Sequence, residues 1–240
     1  MSHIEISEGD GEPREGEWSV LLVGDVHAKL GRFARILSAR QPEYSIQLGD
    51  LGMRKEHQWF LDNLDPERHK VLFGNHDFMP FLNKPHSLGD WAFPFPGVMA
   101  IRGADSIDRR FRSTGLTWWP NEQLSHDRMR QCIDVYGQEK PRVVISHDCP
   151  DAIRRKTFGI HDPSRTSEGL QECFELHQPE LWFFAHHHAS VRRNFLGTTF
   201  IGLNELESCT LTIGHDTVTF CPAPPQKRRN RLWSGHQGSV

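Results

Sequence analysis

Five short apolar runs, each closed by a residue of the kind that binds metals, confine this chain to a narrow set of folds. Residues 19–23 run into Gly24-Asp25-Val26-His27, residues 44–48 into Gly49-Asp50, and residues 71–73 into Gly74-Asn75-His76-Asp77. Residues 143–145 run into Ser146-His147-Asp148, and residues 181–184 into Ala185-His186-His187-His188. A strand covered on both faces is written as a short continuous apolar run rather than as a polar–apolar alternation. Polar groups at the C-terminal ends of such strands gather in the crevice where open α/β sheets bind their ligands. The pattern predicts an α/β protein with a site for two metal ions at the strand C-terminal ends.

Composition is compatible with that prediction. A chain of 240 residues suits one domain with a sizeable core. A net charge of −3 gives no reason to expect a generally nucleic-acid-binding surface. No apolar stretch approaches the ~20 residues of a membrane helix, and the acidic N-terminus lacks the basic start and apolar centre of a secretory signal. Cys132, Cys149, Cys173, Cys209 and Cys221 are scattered and form no CxxC pair. They read as reduced thiols of a cytoplasmic protein. The compositional oddity is fifteen histidines, enough to ask which of them are ligands.

Along the chain, residues 1–17 read as a disordered acidic leader and 18–221 as the functional domain. A Pro-rich tail, 222–240, carries the basic knot Lys227-Arg228-Arg229-Asn230-Arg231 and reads as solvated. Helices are predicted at 29–40, with Leu30, Phe33, Ala34 and Leu37 on one face and Pro42 ending it, and at 57–64. Between 78 and 140 the rhythm breaks into aromatic and proline-rich sequence, read as an elaborated insert over the site. Within it a strand is expected from Val98 and a helix over 121–136. Strands at Val191–Phe195, Thr198–Gly202, 209–213 and 217–221 read as an antiparallel meander.

A two-metal hydrolase needs a bridging anion between cations roughly 3.5–4 Å apart, ligands on either side, and an open position for substrate. Carboxylates, imidazoles and one neutral amide meet that need without making the site too anionic for a phosphate. Asp25, His27, Asp50, Asn75, His147, His186 and His188 are such a kit. Mixed imidazole and carboxylate ligation points to Mn, with Fe or Zn as alternatives. Gly49-Asp50 alone is a common turn dipeptide and Asp25-Val26-His27 alone is weak, whereas Gly74-Asn75-His76-Asp77 is more specific because an Asn-His pair directly after a buried strand has no strong packing rationale. The ordered set is specific.

That set resembles the calcineurin-like metallophosphoesterase superfamily, whose blocks D-x-H, G-D, G-N-H-[DE], a lone His and G-H-x-H stand here as Asp25-Val26-His27, Gly49-Asp50, Gly74-Asn75-His76-Asp77, His147 and Ala185-His186-His187-His188. The resemblance implies a four-layer α/β/β/α sandwich with two central mixed sheets. It implies one metal on Asp25, His27 and His188, the other on Asn75, His147 and His186, and Asp50 bridging, with His187 turned off the site. Ala185 replaces the usual glycine. The second block, continuing Leu51-Gly52-Met53-Arg54-Lys55, departs from the protein-phosphatase branch while leaving Arg54 at that branch's phosphate-binding position. Ser106-Ile107-Asp108-Arg109 with Trp118-Trp119-Pro120-Asn121-Glu122 is similar to compact bacterial and phage members.

The implied reaction is hydrolysis of a phosphomonoester or phosphodiester by a hydroxide shared between two metals. His76 is the expected acid for the leaving oxygen, with Asp77 orienting it or standing as a plain surface carboxylate. Asp148 is expected to begin the Cys149-Pro150 turn. Arg54, Arg109, Arg110 and Arg112 are candidate phosphate clamps. Trp91, Trp118 and Trp119 read mostly as packing within the insert, with stacking on a nucleobase as the other use. A nuclease or nucleotide hydrolase is the competing enzyme reading, with nucleic acid or nucleotide as partner. A silent scaffold for protein interaction is disfavoured because all seven ligand positions are occupied. No membrane partner is expected, and oligomeric state is not legible.

Overall fold

The computed structural model describes residues 5–6 and 13–222. Two six-stranded sheets lie face to face. The first runs β1 (Glu5–Ile6), β12 (Val218–Pro222), β11 (Ser208–Ile213), β2 (Trp18–Val23), β3 (Tyr44–Gln47) and β4 (His69–Val71). The second runs β5 (Trp91–Phe95), β6 (Val98–Ile101), β7 (Val143–Ser146), β8 (Leu181–Phe184), β10 (Thr198–Gly202) and β9 (Val191–Phe195). Both are mixed: β2, β3 and β4 are parallel, as are β6, β7, β8 and β10, while β11 pairs antiparallel with β2 and β5 with β6.

The apolar runs explain the layering, because successive side chains of a strand point to opposite faces. In β2, Val20 and Leu22 enter the core between the sheets, and Leu21 and Val23 face the helices α1 (Leu30–Arg40) and α2 (Gln58–Asp62). In β8, Leu181 and Phe183 point to the inter-sheet core, while Trp182 and Phe184 meet α3 (His126–Glu139), α4 (Asp151–Phe158) and α5 (Arg165–Leu176). Three apolar cores separate four layers, α/β/β/α.

Several expectations need correction. Glu5–Ile6 pair in parallel with β12, so this piece of the expected disordered leader is an edge strand. The rest of the leader at 1–4 and 7–12, and the basic knot in the tail, lie outside the described residues. The expected meander is two hairpins on different sheets: β9–β10 belongs to the second and β11–β12 to the first, with the chain crossing between them at 203–207. Much of the 78–140 stretch is body, since β5, β6 and α3 build the second sheet and its helical cover. Only the loop 103–125 approaches the strand ends that carry the site. The helix expected at 121–136 starts at His126, capped by Ser125 Oγ accepting from Arg128 N at 3.2 Å. Residues 121–123 are held out of it by other bonds: Arg102 Nη1 donates to Asn121 O at 2.8 Å, and Gln123 Oε1 accepts from Thr166 N at 3.0 Å.

Candidate metal centre

The loops that follow β2, β3, β4, β7 and β8 bring all seven expected ligands to one end of the sandwich. Asp25 Oδ2 lies 2.8 Å from His188 Nε2 and 3.5 Å from His27 Nε2, and the two imidazole nitrogens face each other at 2.8 Å. His147 Nε2 lies 3.4 Å from Asp50 Oδ1 and 3.3 Å from Asn75 Oδ1, with a His186 nitrogen in the same cluster. Asp50 also groups with His27, so its carboxylate stands within reach of both clusters.

Backbone conformation adjusts these aims. His27 (φ 46°), Asp50 (φ 55°), His186 (φ 63°) and His188 (φ 47°) all adopt the left-handed region that side chains of this kind rarely occupy. Gly49 (φ 102°) and Gly74 permit the close approach. A Cβ on Gly74 would meet Asp50 Oδ1 at 2.3 Å and His147 Nε2 at 2.4 Å, and one on Gly49 would meet His147 Nδ1 at 2.3 Å. Ala185, in place of a glycine, puts its methyl into the inter-sheet core and bonds His147 O through its N–H at 3.0 Å.

The donor set fits divalent cations. His186 Nδ1 is buried without a hydrogen-bond partner, and buried Asp25 Oδ2 has no aligned hydrogen bond although the His188 ring stands 2.8 Å away, an arrangement that a cation between such atoms would relieve. Burial holds His186 down to about 4, which leaves a neutral ring with a free lone pair near pH 7. Burial opposes protonation of His147 too, yet the Asp50 and Asp25 carboxylates drive it up to about 10. A proton there marks where the carboxylates attract positive charge, and metal binding would displace it. His147 Nδ1 bonds Leu48 O at 2.8 Å, which fixes the ring with Nε2 toward Asp50 and Asn75.

A buried relay stands behind Asn75. Its Nδ2 donates to Ser106 Oγ at 3.1 Å, Ser106 Oγ donates to Glu122 Oε2 at 2.7 Å, and Ser106 N donates to Glu122 Oε1 at 2.8 Å. The sequence singles out both blocks that carry Ser106 and Glu122 but gives neither residue a task.

Other expected residues take different places. The Asp77 carboxylate makes its hydrogen bonds to backbone amides and not to the His76 ring. The residue is buried, and its carboxylate accepts from Asp50 N, Gly74 N and Gly52 N, each at 2.8 Å, tying two ligand loops together. Burial and the Asp50 charge push it up to about 7 against those amides. Asp148 does bond Cys149 N at 2.8 Å as a turn would need, but it is buried and also accepts from Ser167 Oγ at 2.7 Å and pairs with His187 Nε2 at 3.0 Å. His187 stacks on Phe158 with centroids 4.1 Å apart, and with Asp148 and His186 it forms a further group able to hold a cation.

His76 lies beside the cluster, its Nε2 4.0 Å from Asp50 Oδ2. Arg112 Nη2 donates to that nitrogen at 2.7 Å and Arg112 Nε to Asp108 Oδ1 at 2.7 Å. A guanidinium can only donate, so Nε2 accepts and the proton of His76 sits on Nδ1. Burial first, and then Arg112, hold His76 below the ordinary imidazole range despite Asp50. Among the four candidate arginines, Arg112 thus sits on the site and Arg54 lines a cavity next to it. Arg109 is paired with Asp105 at 2.9 Å, and Arg110 lies over the Phe111 ring. Trp91 packs against the second helical core, and Trp119 packs edge-on against Phe78.

Comparison with known proteins agrees with this geometry. No curated protein matches the sequence. Among solved structures, a Staphylococcus aureus protein described as a 5'-nucleotidase is 14% identical with a TM-score of 0.50; the match covers 86% of this chain and 54% of that one, so this chain spans about half its length. GAP50, the anchor in the inner membrane complex of Plasmodium, is 7% identical with a TM-score of 0.53, covering 88% of this chain and 85% of that one. At these identities the likeness is one of fold. The pattern of one family, the calcineurin-like phosphoesterases, matches residues 19–190, most of the chain and all five ligand loops. This chain therefore belongs to the calcineurin-like phosphoesterases, a family of metal-dependent hydrolases of phosphate esters.

Proposed function

We propose that the chain hydrolyses phosphate esters with two divalent metal ions, Asp25, His27 and His188 holding one, Asn75, His147 and His186 the other, and Asp50 joining them. The observation that carries this reading is the gathering of buried, poorly satisfied polar atoms, Asp25 Oδ2 with no aligned hydrogen bond 2.8 Å from His188 Nε2 and His186 Nδ1 with no partner, among two groups of metal-binding residues. Mn2+ suits the donor set best, with Fe or Zn as alternatives. When bound, such ions lower the pKa of a water and neutralise phosphoryl oxygens.

The chain's own residues do the remainder. Arg112 offers its guanidinium to the phosphate, and in moving there it releases Nε2 of His76. Nε2 then takes a proton from solvent and passes it to the departing oxygen, while Nδ1 keeps its own. Asp77 keeps the loops of Asp50 and Asn75 in register and takes no part in proton transfer. Arg54 is a second anion contact at the edge of the site. A nucleotide substrate is a narrower reading, favoured by the indole of Trp119 lining the cavity beside His76. No helix among the described residues is long and apolar enough to cross a membrane. The five free cysteines support a reducing, cytoplasmic setting.

The test is metal analysis together with Mn2+-supported hydrolysis of a generic phosphate ester. Two bound ions are expected, with turnover abolished in Asp50→Asn and reduced about 10²-fold or more in His76→Ala. Full activity in His76→Ala would remove the acid role. Absence of turnover in a fully loaded protein would leave a scaffold.

A further inference from the structure

Two cavities meet at His76. One, of about 400 Å³, opens on the α2 side against Met53, Arg54, His57, Leu116 and Trp119. The other, of about 390 Å³, opens on the α4 side against Ile107, Arg112, Arg154, Ile160 and His187. Each reaches candidate metal ligands, the first at His27 and the second at Asp50, Asn75, His186 and His188. Either alone exceeds the ~300 Å³ at which ligand pockets begin. A phosphomonoester has a single substituent and its remaining oxygens are small, so it would leave one cavity unfilled.

The loop 103–125 straddles both. Arg112 sits at its middle on His76, Ile107 stands at the mouth of the α4-side cavity, and Leu116 at the mouth of the α2-side cavity. Ile107 is 72% exposed and Leu116 76% exposed. The base of the same loop is firmly held, with Ser106 and Glu122 buried and bonded to each other. Ile107 and Leu116 thus give each cavity one large, exposed apolar side chain against which a bound group can pack. Arg54 and Glu56 line the first cavity with Trp119, and the second carries Arg112 paired with Asp108 and Arg154 paired with Asp151 near Ile160.

Resting on the phosphoesterase reading above, we propose that the substrate is an acyclic phosphodiester with a bulky, partly apolar group on each side of phosphorus, one lodged in each cavity. In the reaction a water oxygen forms a bond to phosphorus and the P–O bond to one substituent breaks. One proton from the water ends on the departing oxygen, and the other substituent leaves as a monoester. His76, common to both cavities, stands where the departing oxygen of either group would lie.

The experiment compares bis(4-nitrophenyl) phosphate with 4-nitrophenyl phosphate as substrates of the full chain loaded with Mn2+. The diester is expected to show kcat/KM about ten-fold or more above the monoester. Ile107→Ser and Leu116→Ser are each expected to raise KM for the diester about five-fold, from the lost apolar contact. The monoester, filling one cavity, should respond to only one of the two substitutions. A monoester preferred or used equally would overturn the inference and leave the phosphoesterase reading intact. Diester KM unchanged in both variants would also overturn it. A loaded protein that hydrolyses neither ester would overturn the phosphoesterase reading itself, and this inference with it.

Discussion

Glu122 never approaches a metal ligand directly, yet replacing it with glutamine should empty one metal site. An asparagine amide ligates through oxygen alone, and its two ends are nearly equal in shape. In this protein Ser106 Oγ accepts from Asn75 Nδ2, which it does because its own proton is committed to Glu122 Oε2. The carboxylate therefore sets the direction of every bond in the relay and leaves Asn75 Oδ1 facing His147 Nε2 at 3.3 Å. Glutamine at 122 brings an NH2 group of the same size. Where that group faces Ser106 Oγ, the hydroxyl turns to donate toward Asn75, and the amide flips its nitrogen toward the metal. The orientation is worth about one buried hydrogen bond, ~1–1.5 kcal/mol, and the flip adds a misdirected donor at the ion. The expected loss of affinity at that site is about 10–100-fold, the usual cost of breaking an outer-shell partner of a metal ligand. Calorimetric titration of the metal-free protein with Mn2+ should show one site weakened and the site of Asp25, His27 and His188 unchanged. Ser106→Thr, which keeps the hydroxyl, should restore most of what Ser106→Ala loses. Glu122→Gln binding two ions with parental affinity, or weakening both sites equally, would refute the relay.

Two further outcomes follow from the geometry. Gly74→Ala should abolish metal loading and lower stability by about 2–4 kcal/mol, since the new methyl has nowhere to go between Asp50 and His147; a denaturant midpoint and metal analysis read both, and a fully loaded variant would contradict the packing. Asp90 is gripped by Arg102 Nε at 2.8 Å and Arg128 Nε at 2.7 Å. Although burial works the other way, these arginines hold its carboxyl below the ordinary value of 3.8. Its contribution is therefore complete above pH 3.8 and disappears as pH falls through the lower folded value. The melting-temperature gap between parent and Asp90→Asn should be constant from pH 7 to about 5 and narrow progressively as pH falls below 3.8; a gap that does not narrow in acid would mean the ion pairs are not its source.

The sandwich was legible where burial on both faces forces an unbroken apolar run, as in Val20–Leu22 or Leu181–Phe184. It was less legible where strands carry β-branched or polar residues that would suit either sheet. Nothing local distinguishes Thr198–Gly202, which joins β8, from Ser208–Ile213, which joins β2. At the site, residue type and spacing sufficed to nominate the seven donors the structure brings together, because each follows its strand directly. Carboxylates whose role depends on partners from distant loops were opaque. Asp77 is adjacent to His76 in sequence, but its acceptors face the amides of Gly52, Gly74 and Asp50. Asp148 reads as a turn residue until α5 supplies Ser167. The arginine-dense stretch is uniform as text, and only the loop's turn separates Arg112 on His76 from Arg110 on Phe111.

The crossing at 203–207 has a consequence for how the protein is made. β2 leads into the loop of Asp25 and His27, among the first candidate ligands to leave the ribosome, but its antiparallel neighbour β11 comes from Ser208–Ile213, almost the whole chain later. Until that strand is synthesised, β2 has one open edge and its terminal loop lacks the bond from Gly24 N to Glu207 O. The second sheet needs only residues between Trp91 and Gly202, so it can assemble while the first waits. Pairings at such separation are slow to close and leave an edge exposed to misassociation. The loop of Asp25 and His27 is therefore the last of the candidate ligand loops to gain its backbone support, from residues 206 and 207 at the crossing.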